Sequence, residues 1–404
     1  MLTRVEEVKA VLQTYVDSGQ LAGAATLWWG EGETGTACVG RRDVEAGLPV
    51  ERDTIFRIAS MTKPITSVAA LMLVDEGRIA LGDPITQFAP EFAEMRVLRT
   101  PNGPLEETDP AERLITFEDL LTQRAGLTYG SFHRGPIGAV YRQVLGWEID
   151  SALSPDAWIA GLAGLPLIGQ PGAGLTYGCA TDLLGLLIAR IEGRSLGEVL
   201  RRRIFDPLGM ADTGFVVPAE KRGRRAAAYG FDESGRLVRV ETREGAFLAE
   251  RPAEMTFESG SGGLWSIVDD YLRFARLFLG DGAVDGVRLL QPETLRRMMT
   301  NQLGAGQPVH PAWMGFLPGR GFGLGVSVVL ESSSGDFMRR GHPGTVSWPG
   351  AFGGWWEADP VDGIVRIFLA HNMVDLAQMA KGVGLGVWAA IDAFQRETMK
   401  GVKE

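Results

Sequence analysis

Strand-forming patterns occur at both ends of this 404-residue chain, and nearly everything between them reads as helix and loop. At the N-terminus, MLTRVEEVKAVLQTYVDSG places Val5, Val8, Leu12 and Tyr15 on one helical stripe. GAATLWWGEGETGTACVGRRDV then reads as two short strands around a Gly-rich turn. A helix over Thr62 to Glu76 follows, with Gly77 as its C-terminal stop. From about Asp83 to Val217, ITFEDLL, SPDAWIAGLAGL, ATDLLGLLIARIEG and SLGEVLRRRIF carry apolar residues at spacings of three and four, and strand signals are missing. They return in FGLGVSVVLES, GTVSWPGAFGGWWEADP and GIVRIFLAHNM, divided by turn chemistry such as Asp359-Pro360-Val361-Asp362-Gly363. MAKGVGLGVWAAIDAFQRE closes the chain as a helix. Strands from both ends can share one sheet only if the middle is an insertion. The pattern therefore predicts an α+β fold, an antiparallel sheet flanked by terminal helices with a mainly helical lobe inserted. Residues 1–85 and 320–404 are expected to form the sheet lobe and residues 86–319 the helical lobe, with a cleft between them. The length, beyond the roughly 250 residues at which single cores stop growing, agrees with two lobes.

Composition removes several functions. With 40 basic and 50 acidic side chains the net charge is −10, which gives no electrostatic reason to bind nucleic acid. Two cysteines as far apart as Cys38 and Cys179 make neither a zinc cluster nor a disulfide scaffold, and no HxxxH or HxH pair exists among His133, His310, His342 and His371. No metal or cofactor is expected. No apolar run approaches the 18 or so residues of a membrane span, and the charged N-terminal pattern is unlike a signal peptide, so a cytoplasmic protein is expected. Oligomeric state is left open.

Two serine signatures compete. Gly193-Arg194-Ser195-Leu196-Gly197 matches the GxSxG elbow of α/β hydrolases, which needs a strand before the serine. The preceding LLGLLIARIEG is helical, and Ser195 with Glu198 forms the S-x-x-E capping box that starts another helix. Ser195 is thus expected to be a cap. An elbow serine would also need a later histidine, for which only His310, His342 and His371 are available. The second signature, Ser60-Met61-Thr62-Lys63, opens the apolar helix PITSVAALMLV, with Pro64 tolerated in its first turn. Positions i and i+3 share a helix face, so the lysine reaches the serine hydroxyl, and a helix N-terminus favours negative charge developing beside that hydroxyl. A free lysine titrates at about 10.4, and acting as a base near pH 7 takes about 4–5 kcal/mol of desolvation and neighbouring positive charge. A tyrosine is the expected third partner, passing a proton between serine and leaving group. Tyr177, in the Gly-rich loop PGAGLTYGCATDLLG that leads into a helix, is the candidate.

Together these residues carry a resemblance. FRIASMTKPITSVAALMLVDEGRIALGDPI, ITFEDLLTQRAGL, PLIGQPGAGLTYGCATDLLGLLIARIEGRSL, IFDPLGMADTGF and SGGLWSIVDDYLRFARLFLGDG, in that order, resemble the serine beta-lactamase and penicillin-binding superfamily. More closely, the chain is similar to the class C beta-lactamase-like carboxylesterases of family VIII, from about residue 20 to about residue 395. The resemblance implies a nucleophilic Ser60, a Lys63 that assists its deprotonation, and Tyr177 as the tyrosine of the Y-x-N motif, whose asparagine position is Cys179. Where beta-lactamases and peptidases carry K-T-G or H-T-G, the esterase branch resembles W-G-G followed by aromatics and Asp-Pro. Trp348-Pro349-Gly350-Ala351-Phe352-Gly353-Gly354-Trp355-Trp356, ending in Asp359-Pro360, fits that spacing with proline at the central glycine.

This strand would present an apolar wall without a carboxylate anchor, and the resemblance implies an oxyanion hole from the backbone NH groups of Ser60 and Ala351. Trp348, Gly350, Phe352 and Cys179 are the expected pocket residues. The stretch from about Tyr129 to Ile149 is expected in the pocket wall, one of Trp355 and Trp356 is expected to line the pocket, and Trp28 and Trp29 are expected in the core. His342-Pro343-Gly344 is a rival H-x-G version of the third motif, against a structural loop histidine. The expected activity is hydrolysis of a small-molecule carboxylic ester through an acyl-enzyme. A beta-lactamase, a D-amino-acid peptidase or amidase, an acyltransferase, and a silent binding protein on the same scaffold are the alternatives.

Overall fold

The sheet is assembled from both ends of the chain. The structure, a computed structural model, describes residues 2–133, 135–146, 149–240, 256–304, 306–307, 309, 318–373 and 375–399. Its main sheet holds β1 (Gly23–Gly30), β2 (Glu33–Asp43), β3 (Leu48–Pro49), β4 (Arg320–Phe322), β5 (Ser327–Val329), β6 (Val346–Gly350), β7 (Gly354–Asp359) and β8 (Ile364–Ala370), in the order β4-β5-β6-β7-β8-β1-β2-β3. All neighbours are antiparallel, and the join between the two ends is the β8–β1 ladder, from Ala24 opposite Ala370 to Gly30 opposite Ile364.

Each face of the sheet is covered differently. Side chains alternate along a strand, so Trp28 and Trp355 point to one face while Trp29 and Trp356 point to the other. The first face packs against α1 (Leu2–Asp17) and the C-terminal helix, through Val8, Leu12, Ile391 and Phe394. The second face joins a core that runs without a break through α2 (Thr62–Asp75) into the helices of the middle of the chain. Trp356 is enclosed there by Tyr271, Phe274 and Phe278, and Trp355 lies under Phe337, so neither of this pair lines the site, contrary to expectation.

The middle of the chain is mainly helical, with Phe117–Leu121, Pro155–Ala163, α3 (Ala180–Glu192) and Leu196–Leu200 where the periodicity predicted helices. Ser195 caps the last of these through a capping box with Glu198, as its S-x-x-E spacing predicts. Two departures have local causes. A ribbon of Arg96–Leu98 with Thr108–Pro110 interrupts the helical stretch, each strand only three residues long and so without a readable alternation. FGLGVSVVLES is two strands, because the chain turns at Gly325, whose φ of +88° is a left-handed conformation that suits glycine. The final helix is α4 (Leu385–Met399), beginning after the positive-φ residues Gly382 and Gly384. No described helix is long and apolar enough to cross a membrane.

His371, just after β8, is buried between the rings of Phe56 at 5.7 Å and Tyr229 at 5.4 Å. Burial pushes its imidazole down to about 3 from the ordinary 6.5, so the folded protein holds it neutral. The unfolded chain therefore binds the extra proton first, and the stability contributed by neutral His371 is full above about pH 6.5 and is lost as pH falls towards 3. A His371→Phe variant is expected to lose less Tm than the parent between pH 7.5 and pH 5, measured by thermal denaturation.

Candidate active site

Residues 56–63 place the serine. Phe56–Arg57 pairs with Trp265–Ser266, Ile58 N–H donates to the Leu264 carbonyl at 3.0 Å, and the chain then enters a 3-10 turn over Ala59–Met61 that runs directly into α2. Ala59 has a φ of +44°, which is costly for an L-residue with a Cβ. The turn is held from below by Tyr271, whose hydroxyl donates to the Met61 carbonyl at 2.8 Å. Ser60 is thus presented at the start of α2, on rigid backbone.

Two side chains meet at that hydroxyl. Lys63 Nζ lies 3.3 Å from Ser60 Oγ, and the Tyr177 hydroxyl donates to the same oxygen at 2.9 Å. Trp348 Nε1 points to the Tyr177 oxygen at 3.4 Å. The i to i+3 spacing delivers Lys63 as expected, and the loop before α3 delivers Tyr177. Lys63 is 1% exposed and sits in a helix that is buried along most of its length. Its amine lies 4.6 Å from the ring centre of Tyr177 and 5.4 Å from that of Tyr129. The expected desolvation is present, and among the described residues the amine is met by oxygen atoms and aromatic faces.

Three further residues belong to this constellation and carry no motif of their own. Lys63 Nζ also donates to the Tyr129 hydroxyl at 3.1 Å and to the Ser261 carbonyl at 2.9 Å. Tyr129 and Ser261 share a hydrogen bond of 2.6 Å between their hydroxyls. Ser261 in turn donates to Asp182, on the first turn of α3, at 2.5 Å from Oδ2. Burial pushes the Asp182 carboxyl above its ordinary value, opposed by the Ser259 and Ser261 hydroxyls, by Lys63 and by the Ser261 N–H. The available sequence signal was an acid inside the apolar run ATDLLGLLI, masked by the preference of acids for first helical turns.

The wall beside Ser60 is aromatic. Phe132 stacks on Tyr177 with centroids 6.1 Å apart, Tyr177 lies 5.5 Å from Trp348, and Phe322 meets Trp348 edge-on at 5.2 Å. Tyr129 and Phe132 bring the 129–149 stretch to the site, and Ile149 covers the turn at Gly262, where a Cβ would come 2.6 Å from its Cγ2. Cys179 is buried and lines a small cavity with Thr128, Tyr129, Tyr141, Leu145 and Trp158. Gly350 ends β6 against the segment before the serine: a Cβ there would lie 2.6 Å from the Ile58 carbonyl oxygen. Ala351 follows in an exposed turn and Phe352 is buried beneath it. Pro349 is accommodated because β5 pairs with β6 only at Val346 and Ser347, so no ladder bond is lost beyond them.

The histidines lie elsewhere. His342 is at the opposite end of β6 from Gly350, and its N–H and Nδ1 each meet Asp359 Oδ2 at 3.0 Å, with Asp362 at 3.7 Å from the ring. Asp359 also accepts from the N–H groups of Val361 and Asp362, so this trio, the one described grouping close enough to share a cation, is a clamp on the β7–β8 turn. The loop-histidine reading holds over the H-x-G one. His133 bonds Thr128 and Asn102, and His310 lies outside the described residues.

The family described as Beta-lactamase matches residues 8–383, and the chain belongs to that family. An uncharacterized protein of Mycobacterium tuberculosis is 45% identical over 376 residues, covering 91% of this chain and 90% of its own. Esterase EstB of Burkholderia gladioli is 32% identical over 348 residues, covering 82% and 81%. Among solved structures, that of "EstCE1, a hydrolase with promiscuous acyltransferase activity" matches with a TM-score of 0.79 at 24% identity, covering 97% of this chain and 98% of the other, and supports the fold.

Gly178 gives a test of how tightly the site is packed. A Cβ on it would overlap the backbone of Thr128 and lie 2.7 Å from the Leu127 carbonyl oxygen, so any side chain must push Tyr177 away from Tyr129. Gly178→Ala is expected to cost about 1–3 kcal/mol of stability. Thermal denaturation measures the loss.

Proposed function

We propose that the protein hydrolyses carboxylic esters through an acyl-enzyme on Ser60. The observation that carries this reading is the convergence of Lys63 Nζ and the Tyr177 hydroxyl on Ser60 Oγ, at 3.3 and 2.9 Å. Lys63, as the neutral amine, accepts the serine proton while Oγ attacks the ester carbonyl. The carbonyl oxygen becomes an oxyanion, held by the backbone N–H groups of Ser60 and Ala351. Collapse expels the alcohol, which takes a proton through Tyr177, and water then adds to the acyl-enzyme by the reverse route and releases the acid. No metal or cofactor enters this scheme.

The aromatic wall favours a neutral, apolar acyl or alcohol group. Trp348 occupies the place where a cation and hydroxyl would hold a substrate carboxylate, which supports esters over beta-lactams and peptides as substrates. The name of the Burkholderia gladioli relative, an esterase, supports the same choice. Acyl transfer to an alcohol shares every step up to the acyl-enzyme, so added alcohol should compete with water.

Ser60→Ala is expected to lower kcat/KM for p-nitrophenyl butyrate by at least about a thousandfold. Tyr177→Phe is expected to lower kcat by about 100-fold. Hydrolysis retained in folded Ser60→Ala would contradict the proposal. Chromogenic cephalosporin turnover matching that of short esters would move the assignment to a beta-lactamase.

A further inference from the structure

We infer that Asp182 is a positioning residue that sets the direction of a hydrogen-bond chain and thereby aims the Lys63 lone pair at Ser60. The inference rests on the reading of Ser60 as nucleophile and Lys63 as its base, and it follows from counting protons. Asp182 is fully buried on α3, and three donors are aimed at its carboxylate: the hydroxyls of Ser259 and Ser261, each at 2.5 Å, and the Ser261 N–H at 3.1 Å. An ionised carboxylate only accepts. The single hydroxyl proton of Ser261 is therefore committed to Asp182, since the Ser259 oxygen, at 3.5 Å, is too distant to compete.

The consequence passes to the next oxygen. With its proton spent, Ser261 Oγ can only accept across the 2.6 Å contact with Tyr129, so the Tyr129 proton points to Ser261. The Tyr129 oxygen then faces Lys63 as an acceptor, at 3.1 Å. The Ser261 carbonyl, at 2.9 Å, is also an acceptor and nothing else. A neutral lysine amine has two N–H bonds and one lone pair. Both N–H bonds are drawn to these two oxygens, and the lone pair is left for Ser60 Oγ, the remaining oxygen neighbour of Nζ among the described residues, at 3.3 Å.

Ser60 meets that lone pair with the right polarity. Its oxygen accepts from Tyr177, whose oxygen is approached by the Trp348 N–H, so its own proton is directed to Lys63. The result is one chain with a single sense, from Trp348 through Tyr177, Ser60, Lys63, Tyr129 and Ser261 to Asp182. In the reacting step the Ser60 proton moves to Lys63 Nζ, which becomes an ammonium donating to Ser60, Tyr129 and the Ser261 carbonyl, and no other proton in the chain has to move.

Replacing the carboxylate by an amide reverses the sense. The Asn side chain can donate to Ser261, Ser261 to Tyr129, and Tyr129 to the Lys63 lone pair, which is then blocked; a misdirected partner of this kind leaves geometry intact while removing the base. Asp182→Asn is expected to lower kcat for p-nitrophenyl butyrate by about 100-fold, with KM changed by less than about threefold. Tyr129→Phe removes the hydroxyl that blocks Lys63, so the Asp182→Asn/Tyr129→Phe protein is expected to recover the activity of Tyr129→Phe alone. A purely structural aspartate would show no such rescue. Ser261→Ala breaks the same chain and, should Asp182→Asn fail to fold, its rescue by Tyr129→Phe is the equivalent reading.

The rate of fluorophosphonate labelling of Ser60 is measured on every variant, because it requires an activated serine and no ester. Defects of Asp182→Asn and Tyr129→Phe that multiply, or an Asp182→Asn rate within about threefold of the parent, would overturn the inference. Loss of ester turnover in the parent with the predicted labelling pattern intact would instead contradict the esterase reading and leave the chain standing.

Discussion

Everything in the site depends on one buried amine. Lys63 lies in a helix that is buried along most of its length and is itself 1% exposed, and an unpaired polar group in such a place costs several kcal/mol. Its three oxygen neighbours come from residues 60, 129 and 261, segments that meet only when the fold is complete. Satisfying the amine therefore requires the turn that presents Ser60, the loop carrying Tyr129 and the Gly-rich turn carrying Ser261 to converge. The same requirement that makes the core tolerate Lys63 builds the reactive centre around it.

The sheet supplies the remaining wall. Its last residue before the turn at Ala351 abuts the carbonyl of Ile58, and Trp348, two residues earlier, reaches Tyr177. Because β6 pairs with β7, and β7 with β8, that wall is anchored to the strand that joins the two ends of the chain. An aromatic surface at this place, with Phe132 and Phe322 extending it, suits an uncharged substrate group. Under the proposed function Ser60 is the nucleophile, and this wall would set what can be brought to it.

Local chemistry explains which parts of this were legible in the sequence. The S-x-x-K spacing, the stop at Gly77, the capping box at Ser195 and the alternation of Trp28 with Trp29 are short-range effects, and each appears as expected. Tyr177 is legible because its Gly-rich loop leads directly into a helix and can project a side chain into a cleft. Tyr129 is legible only as the start of a stretch expected in the pocket wall, and Ser261 and Asp182 carry no motif that ties them to Lys63, from which the three lie 66, 198 and 119 residues away. Their roles arise from a tertiary hydrogen-bond network. Trp355 and Trp356 show the opposite failure: the alternation assigned their faces correctly, but which face meets the cleft depends on the helix packed over it, and Tyr271, Phe274 and Phe278 fill that space.

The central claim is that chemistry passes through an acyl group on Ser60. Rapid-quench mass spectrometry of the protein during turnover of p-nitrophenyl butyrate tests it most directly, with the adduct mapped by peptide digestion. The account predicts a butyryl group on the peptide that contains Ser60, accumulating and decaying at rates consistent with turnover. Turnover with Ser60 unmodified at every time point, or with the acyl group on another side chain, would contradict it.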